Sequence, residues 1–164
     1  TIKEALLNVR VPGRSELVDN KKGLTIMIDY AHSPESLQSI LSAVKSYTRG
    51  KVISVFGCGG DRDKTKRPIM GKISTSIADF TIITSDNPRT EDPDTIVNEI
   101  EVGAKKAKGK YKKIVNRTEA IKYAINMASK NDIIVLAGKG HETYQEINGI
   151  KHHYDEREII KEVI

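Results

Sequence analysis

Short apolar runs of strand length alternate along this chain with stretches whose apolar residues recur at helical spacing, and that rhythm leaves few folds open. The runs fall at 24–30, 51–56, 79–84, 112–115 and 132–137, and the helical stretches at 34–47, 68–78, 94–106 and 118–129. Connections of this kind cross over in the right-handed sense and give a mostly parallel sheet with helices on both faces, so the expected class is α/β. The tail breaks the rhythm. Residues 144–148 and 150–154, hinged at Gly149, read as an antiparallel, hairpin-like edge near the C-terminus, followed by a last helix from Asp155. Residues 1–10 read as a helix end with Ile2, Ala5, Leu6 and Val9 on one face and no cap before them, as if cut from something larger.

A chain of 164 residues suffices for one domain with its own core. Its single cysteine, Cys58, excludes an internal disulfide and any cysteine-based metal spacing, which points to a reducing compartment. No apolar run approaches the roughly 20 residues needed to span a bilayer and no signal sequence is legible, so the expectation is a cytoplasmic protein without a membrane partner. The net charge of +5 raises the question of nucleic acid, but the lysines are scattered, and six tyrosines and two phenylalanines make no stacking platform. The densest basic run, 105–113, reads as a solvated loop. No nucleic-acid partner is expected, while anionic small substrates remain open.

In a parallel sheet the carboxyl ends of the strands share one rim, where ligands bind. Four loops at that rim carry unusual polar residues. Asp29-Tyr30-Ala31-His32-Ser33-Pro34 closes the first run and opens a helix, with Ser33 as N-cap and Pro34 at the first helical position. Asp29 could accept from ribose hydroxyls and His32 could meet a base or phosphate, or both could satisfy backbone groups at the helix start. Gly57-Cys58-Gly59-Gly60-Asp61-Arg62-Asp63-Lys64 has glycines that let backbone N–H groups cradle an anion. It is not a Walker A loop, because Asp63 stands where that motif needs glycine. Arg62 is the expected anion contact, and Lys66 and Arg67 are expected to face solvent or the helix opening at Pro68. Asp86-Asn87-Pro88-Arg89 offers a carboxylate, an amide and a guanidinium, with Pro88 holding Asn87 extended. Arg89 could grip a carboxylate through two parallel hydrogen bonds while Asp86 accepts from an ammonium, a set that suits a zwitterion. The same residues would serve as a turn and helix cap. Gly138-Lys139-Gly140-His141-Glu142 again permits close backbone approach, and Glu142 could take a second ammonium. No histidine lies at metal-ligand spacing, so no metal ligand is expected in this chain, and the Asn116-Arg117-Thr118 sequon is accidental in a cytoplasmic protein.

These motifs, with the Val11-Pro12-Gly13-Arg14 turn, resemble the C-terminal domain of the Mur ligase family across nearly the whole chain, and among its members those that add diaminopimelate. The resemblance implies a Rossmann-like domain whose loops select the incoming amino acid in peptidoglycan synthesis. It assigns meso-diaminopimelate to Arg62, Asp86, Asn87, Pro88, Arg89, Gly138 and Glu142, and ATP contacts to Arg14, Asp29 and His32. It implies ATP-dependent amide formation in which the glutamate carboxylate of UDP-MurNAc-L-Ala-D-Glu is phosphorylated and then attacked by the amine. The phosphate loop and the Mg²⁺ ligands of the family are absent from this sequence. The expectation is therefore that residues 1–164 form the C-terminal domain of a three-domain ligase, inactive alone. The alternatives are a lysine- or lanthionine-adding homologue, a relative such as folylpolyglutamate synthetase, or a non-catalytic Rossmann-like anion-binding module.

Overall fold

A computed structural model describes residues 11–164. The helix end expected at residues 1–10 lies outside the described residues. In chain order the elements are β1 (Glu16–Leu17), β2 (Thr25–Asp29), α1 (Pro34–Tyr47), β3 (Val52–Phe56), α2 (Lys66–Ile77), β4 (Phe80–Ile83), α3 (Pro93–Ala107), β5 (Tyr111–Lys113), α4 (Arg117–Met127), β6 (Ile133–Ala137), β7 (Tyr144–Ile147), β8 (Ile150–His153) and α5 (Glu156–Val163). The main sheet runs β1-β2-β6-β3-β4-β5. Strands β2 to β6 are parallel, and only β1 is antiparallel, pairing Glu16 with Ile28.

Alternation along each strand builds two cores. Met27, Phe56, Ile83, Val135 and Ala137 point to the face covered by α1, α2 and α3, where they meet Leu37, Leu41, Met70, Ile96 and Ile100. Ile26, Ile28, Ile53, Val55, Ile82, Ile134 and Leu136 point to the other face, against Ile121 and Ile125 of α4 and Ile159 and Ile160 of α5. With both faces covered, β3 and β6 are buried along their whole length, as a central parallel strand requires. Ser54, the one polar residue of β3, is satisfied by Ser74 Oγ at 3.0 Å, which also bonds Thr81 Oγ1.

The helix starts follow local capping. Ser33 and Ser36 form a reciprocal capping box at α1, and Asp92, Asn116 and Asp155 accept from backbone N–H groups at α3, α4 and α5. Helix α2 begins at Lys66, two residues before the expected start, because Pro68 sits in the first turn, where its missing N–H would have had no partner anyway. Arg67 thereby turns inward. It has no exposed side-chain surface and pairs with Glu91 and Glu99, so the expectation of a solvent-facing Arg67 is corrected. Its partners lie 24 and 32 residues away, which no local pattern reveals.

The C-terminal hairpin forms where expected, with Asn148 and Gly149 both at positive φ as a two-residue turn demands. It is a two-stranded sheet of its own, joined to the rest by a bridge between Ile147 and Arg89. The antiparallel edge of the main sheet is β1, a strand too short for periodicity to mark. The lysines of 105–113 are exposed, but they end α3 and carry the edge strand β5 instead of forming one loop.

Candidate functional site

The loops after β2, β3, β4 and β6 emerge side by side because those four strands are adjacent and parallel, with β6, reached by the return of the chain from β5, inserted between β2 and β3. Between them opens a cleft of about 330 Å³. Tyr30 and His32 line it from the first loop, Arg62 with Gly57, Cys58, Gly59, Asp63 and Lys66 from the second, Asp86, Asn87 and Arg89 from the third, and Gly138 and Glu142 from the fourth.

The second and third loops are stitched together. Gly60 N–H donates to Asn87 O at 2.8 Å, Asp61 N–H to Glu91 Oε1 at 2.6 Å, and Thr90 N–H and Oγ1 both donate to the Asp61 carboxylate. A side chain at Gly60 would sit 1.9 Å from Pro88 O, so glycine is what allows these loops to touch. Pro88 itself is not among the lining residues, and its carbonyl accepts from Glu91 N–H at 3.0 Å. Arg67 braces the pair from below: its guanidinium reaches Gly59 O and both Glu91 oxygens, and it holds the Glu91 carboxyl down to about 2.

Asn87 organises the third and fourth loops. Its Nδ2 donates to Glu142 Oε2 at 2.9 Å, while its Oδ1 accepts from Lys139 Nζ at 3.0 Å and from Glu146 N–H at 3.0 Å. Lys139 is completely buried, lies between the rings of Tyr144 and Tyr154, and reaches Glu142 at 3.4 Å. Gly138 has φ +116°, and a Cβ there would meet Asp86 Oδ2 at 2.5 Å. Only glycine lets the Asp86 carboxylate lie against this turn.

Two charged groups on the cleft wall are unspent among the described residues. The Asp86 carboxylate accepts no hydrogen bond there, although Asp86 is 8% exposed, and Arg62 donates only to the neighbouring Asp61 O at 3.3 Å. Arg89 is more committed: Nη1 donates to Gly60 O at 2.8 Å and Nε lies 3.3 Å from Glu146 Oε2. The cleft thus brings the guanidinium groups of Arg62 and Arg89 and the carboxyl groups of Asp86 and Glu142 into one lining, a complement to a molecule bearing both charges. Cys58 adds no nucleophile, since burial pushes its thiol up to about 12.

The residues expected to face ATP gather at one rim, around Tyr30. The Arg14 guanidinium lies 5.0 Å from the Tyr30 ring, and the rings of His32 and His141 lie 4.6 and 5.1 Å from it. His32 lines the cleft; Arg14 and Asp29 do not. Asp29 holds the turn in place, accepting from Ser15 N–H at 2.7 Å and Ala31 N–H at 2.9 Å. Among the described residues no group of three His, Cys, Asp or Glu has the geometry of a metal site. No helix among them is long and apolar enough to cross a membrane.

Sequence reasoning gives no role to Tyr30, Lys139 or Glu146. Tyr30 and Lys139 stand inside the rim motifs, but their parts depend on which loops meet. Glu146 lies in a hairpin whose docking has no local signal.

Residues 13–140 match the family model described as Mur ligase, glutamate ligase domain. The UDP-N-acetylmuramoyl-L-alanyl-D-glutamate–2,6-diaminopimelate ligases of Clostridioides difficile and Clostridium perfringens are 50% and 53% identical over 163 and 165 residues. Each alignment takes in 99% of this chain and 34% of the relative, so the chain spans about a third of the length of the relatives it matches. A solved structure of a ligase of that name superposes with a TM-score of 0.86 at 40% identity, over 95% of this chain and 32% of that one. At 18% identity and a TM-score of 0.65, a bifunctional folylpolyglutamate synthase/dihydrofolate synthase from Yersinia pestis, complexed with AMPPNP and Mn ion, shares the fold. With the family model matched from Gly13 to Gly140, across the first three loops that build the cleft and into the fourth, the chain belongs to the Mur ligase, glutamate ligase domain family.

Proposed function

We propose that this chain is the C-terminal, amino-acid-binding domain of a three-domain, ATP-dependent ligase that joins meso-diaminopimelate to UDP-MurNAc-L-Ala-D-Glu in cytoplasmic peptidoglycan synthesis, and that it does not turn over alone. The observation that carries this reading is the meeting of Arg62, Asp86, Arg89 and Glu142 in one cleft from loops spread over 81 positions, 62 to 142. meso-Diaminopimelate differs from lysine by one distal carboxylate. Arg62 and the open Nη2 of Arg89 reward that group, and lysine would bring them no carboxylate. Asp86 and Glu142 take ammonium groups, with Asn87 and Lys139 fixing Glu142.

The domain supplies orientation. It holds one end of the amino acid by charge-assisted hydrogen bonds so that the reacting amine meets an activated carboxyl carried by the rest of the ligase. ATP supplies that activation, and the rim of Arg14, Tyr30 and His32 offers it a guanidinium and aromatic faces, with Asp29 anchoring the turn that presents Arg14. Mg²⁺ we assign to the preceding part of the ligase.

In the full-length ligase, Arg89→Ala should raise the KM for meso-diaminopimelate about ten- to a hundredfold, the worth of one charge-assisted contact. The KM for ATP should change by less than about twofold. Steady-state kinetics with each substrate varied in turn measures both, and an unchanged KM for the amino acid would remove Arg89 from the site.

A further inference from the structure

The hairpin β7–β8 grips the third loop along its length. Gln145 Nε2 donates to Asp86 O at 2.7 Å, Glu146 N–H to Asn87 Oδ1 at 3.0 Å, Arg89 N–H to Glu146 O at 3.0 Å, and Asn148 N–H to Arg89 O at 2.7 Å. Arg89 sits at φ +52°, a left-handed conformation that a residue with a side chain keeps only when its surroundings impose it. The two flanking backbone bonds to the hairpin are what impose it here.

The side chain is fixed as well. Arginine is long and rotamer-rich, and ordering it on ligand binding would weaken that binding. In this cleft the ordering is already done: Glu146 holds Nε, Gly60 O holds Nη1, and the guanidinium crosses Gly59, where a Cβ would lie 2.7 Å from Nη1. Nη2 makes no hydrogen bond among the described residues and is the corner left for a ligand. Both partners of the ion pair are largely shielded, Arg89 at 20% and Glu146 at 25% side-chain exposure, so the pair is less screened than one on an open surface.

We infer that Glu146 is a positioning residue for amino-acid selection, which sets the Arg89 guanidinium for the far carboxylate before the amino acid arrives. This rests on the reading of the cleft given above. Glu146 touches no substrate; it acts through Arg89, and its loss leaves a cation that must be ordered by each incoming molecule. The consequence falls on discrimination, since lysine has no carboxylate to meet that cation.

The test is a double-mutant cycle in the full-length ligase with Glu146→Ala, Arg89→Ala and both, measuring KM and kcat for meso-diaminopimelate, for lysine and for ATP. Glu146→Ala is expected to raise the KM for meso-diaminopimelate about tenfold, to lower its preference over lysine by a similar factor, and to leave kcat and the KM for ATP within about twofold. Added to Arg89→Ala, it should do nothing more. Glu146→Gln, which keeps the size and removes the charge, should reproduce most of the loss should the alanine variant fold poorly, and Glu146→Asp should recover part of the selectivity. An unchanged KM in Glu146→Ala and Glu146→Gln overturns the inference. So does an equal penalty with Arg89 already removed, or a loss spread over kcat and ATP. If Arg89→Ala alone leaves the KM for meso-diaminopimelate unchanged, the reading of the cleft fails, and the role of Glu146 fails with it.

Discussion

Arg67 shows how one buried cation sets the behaviour of its neighbourhood. Its two carboxylate partners are Glu91, 14% exposed, and Glu99, 38% exposed, so the charge is balanced from the surface inward. Glu91 is bonded first by Arg67 and then by Asp61 N–H, and its carboxyl falls from an ordinary 4.5 to about 2. A depressed folded value means that this stabilisation is complete above about pH 4.5 and is lost as pH falls through 2. Glu91→Gln should cost roughly 2 kcal/mol at neutral pH, an amount already reduced for solvent screening. The variant should also lose less stability than the parent between about pH 5 and pH 2, read by thermal melting across pH. Equal acid sensitivity in the two proteins would contradict the assignment. At this scale the sequence was partly legible: Asp86, Arg89 and Glu142 announce themselves by type and position, whereas the burial of Arg67 and Lys139 follows from partners dozens of residues away.

Among the elements, α5 has a part larger than its eight residues imply. Glu156 at its start meets Arg117 at the start of α4, Nε to Oε1 at 2.8 Å, with both side chains buried. Arg117 also donates to Ser85 O and Ala137 O, the backbone just before Asp86 and Gly138. Burial opposes the charge on Arg117, but the Glu156 carboxylate and the nearby Asp86 outweigh it and keep the guanidinium protonated. Removing one partner strands the other in the core. Glu156→Ala should therefore cost about 3–5 kcal/mol, and the joint replacement Arg117→Met with Glu156→Leu distinctly less. Denaturant unfolding of the parent and the two variants measures this, and a double variant as unstable as Glu156→Ala would refute it. The helices themselves were legible because caps and prolines are local signals, as at Ser33-Pro34 and Asp92-Pro93. The short β1 and the docking of the hairpin were not, since both depend on what the rest of the fold places beside them.

For the whole molecule, the alternation of strand and helix already implied a rim where loops converge, and the cleft stands at that rim. What the pattern could not supply was the division of labour there. Arg62 and Asp86 are left open to a ligand, Arg89 is held by Glu146 and Gly60, and Asp29 is turned to the support of the Arg14 turn. The chain spans about a third of its relatives' length, so catalysis is a property we assign to the longer protein and selection to this part of it. A crystal structure of the full-length ligase with meso-diaminopimelate bound tests that division most directly. The account predicts the distal carboxylate against Arg62 and Arg89 and ammonium groups against Asp86 and Glu142. A ligand seated outside the cleft, or one whose distal carboxylate meets neither arginine, would contradict it.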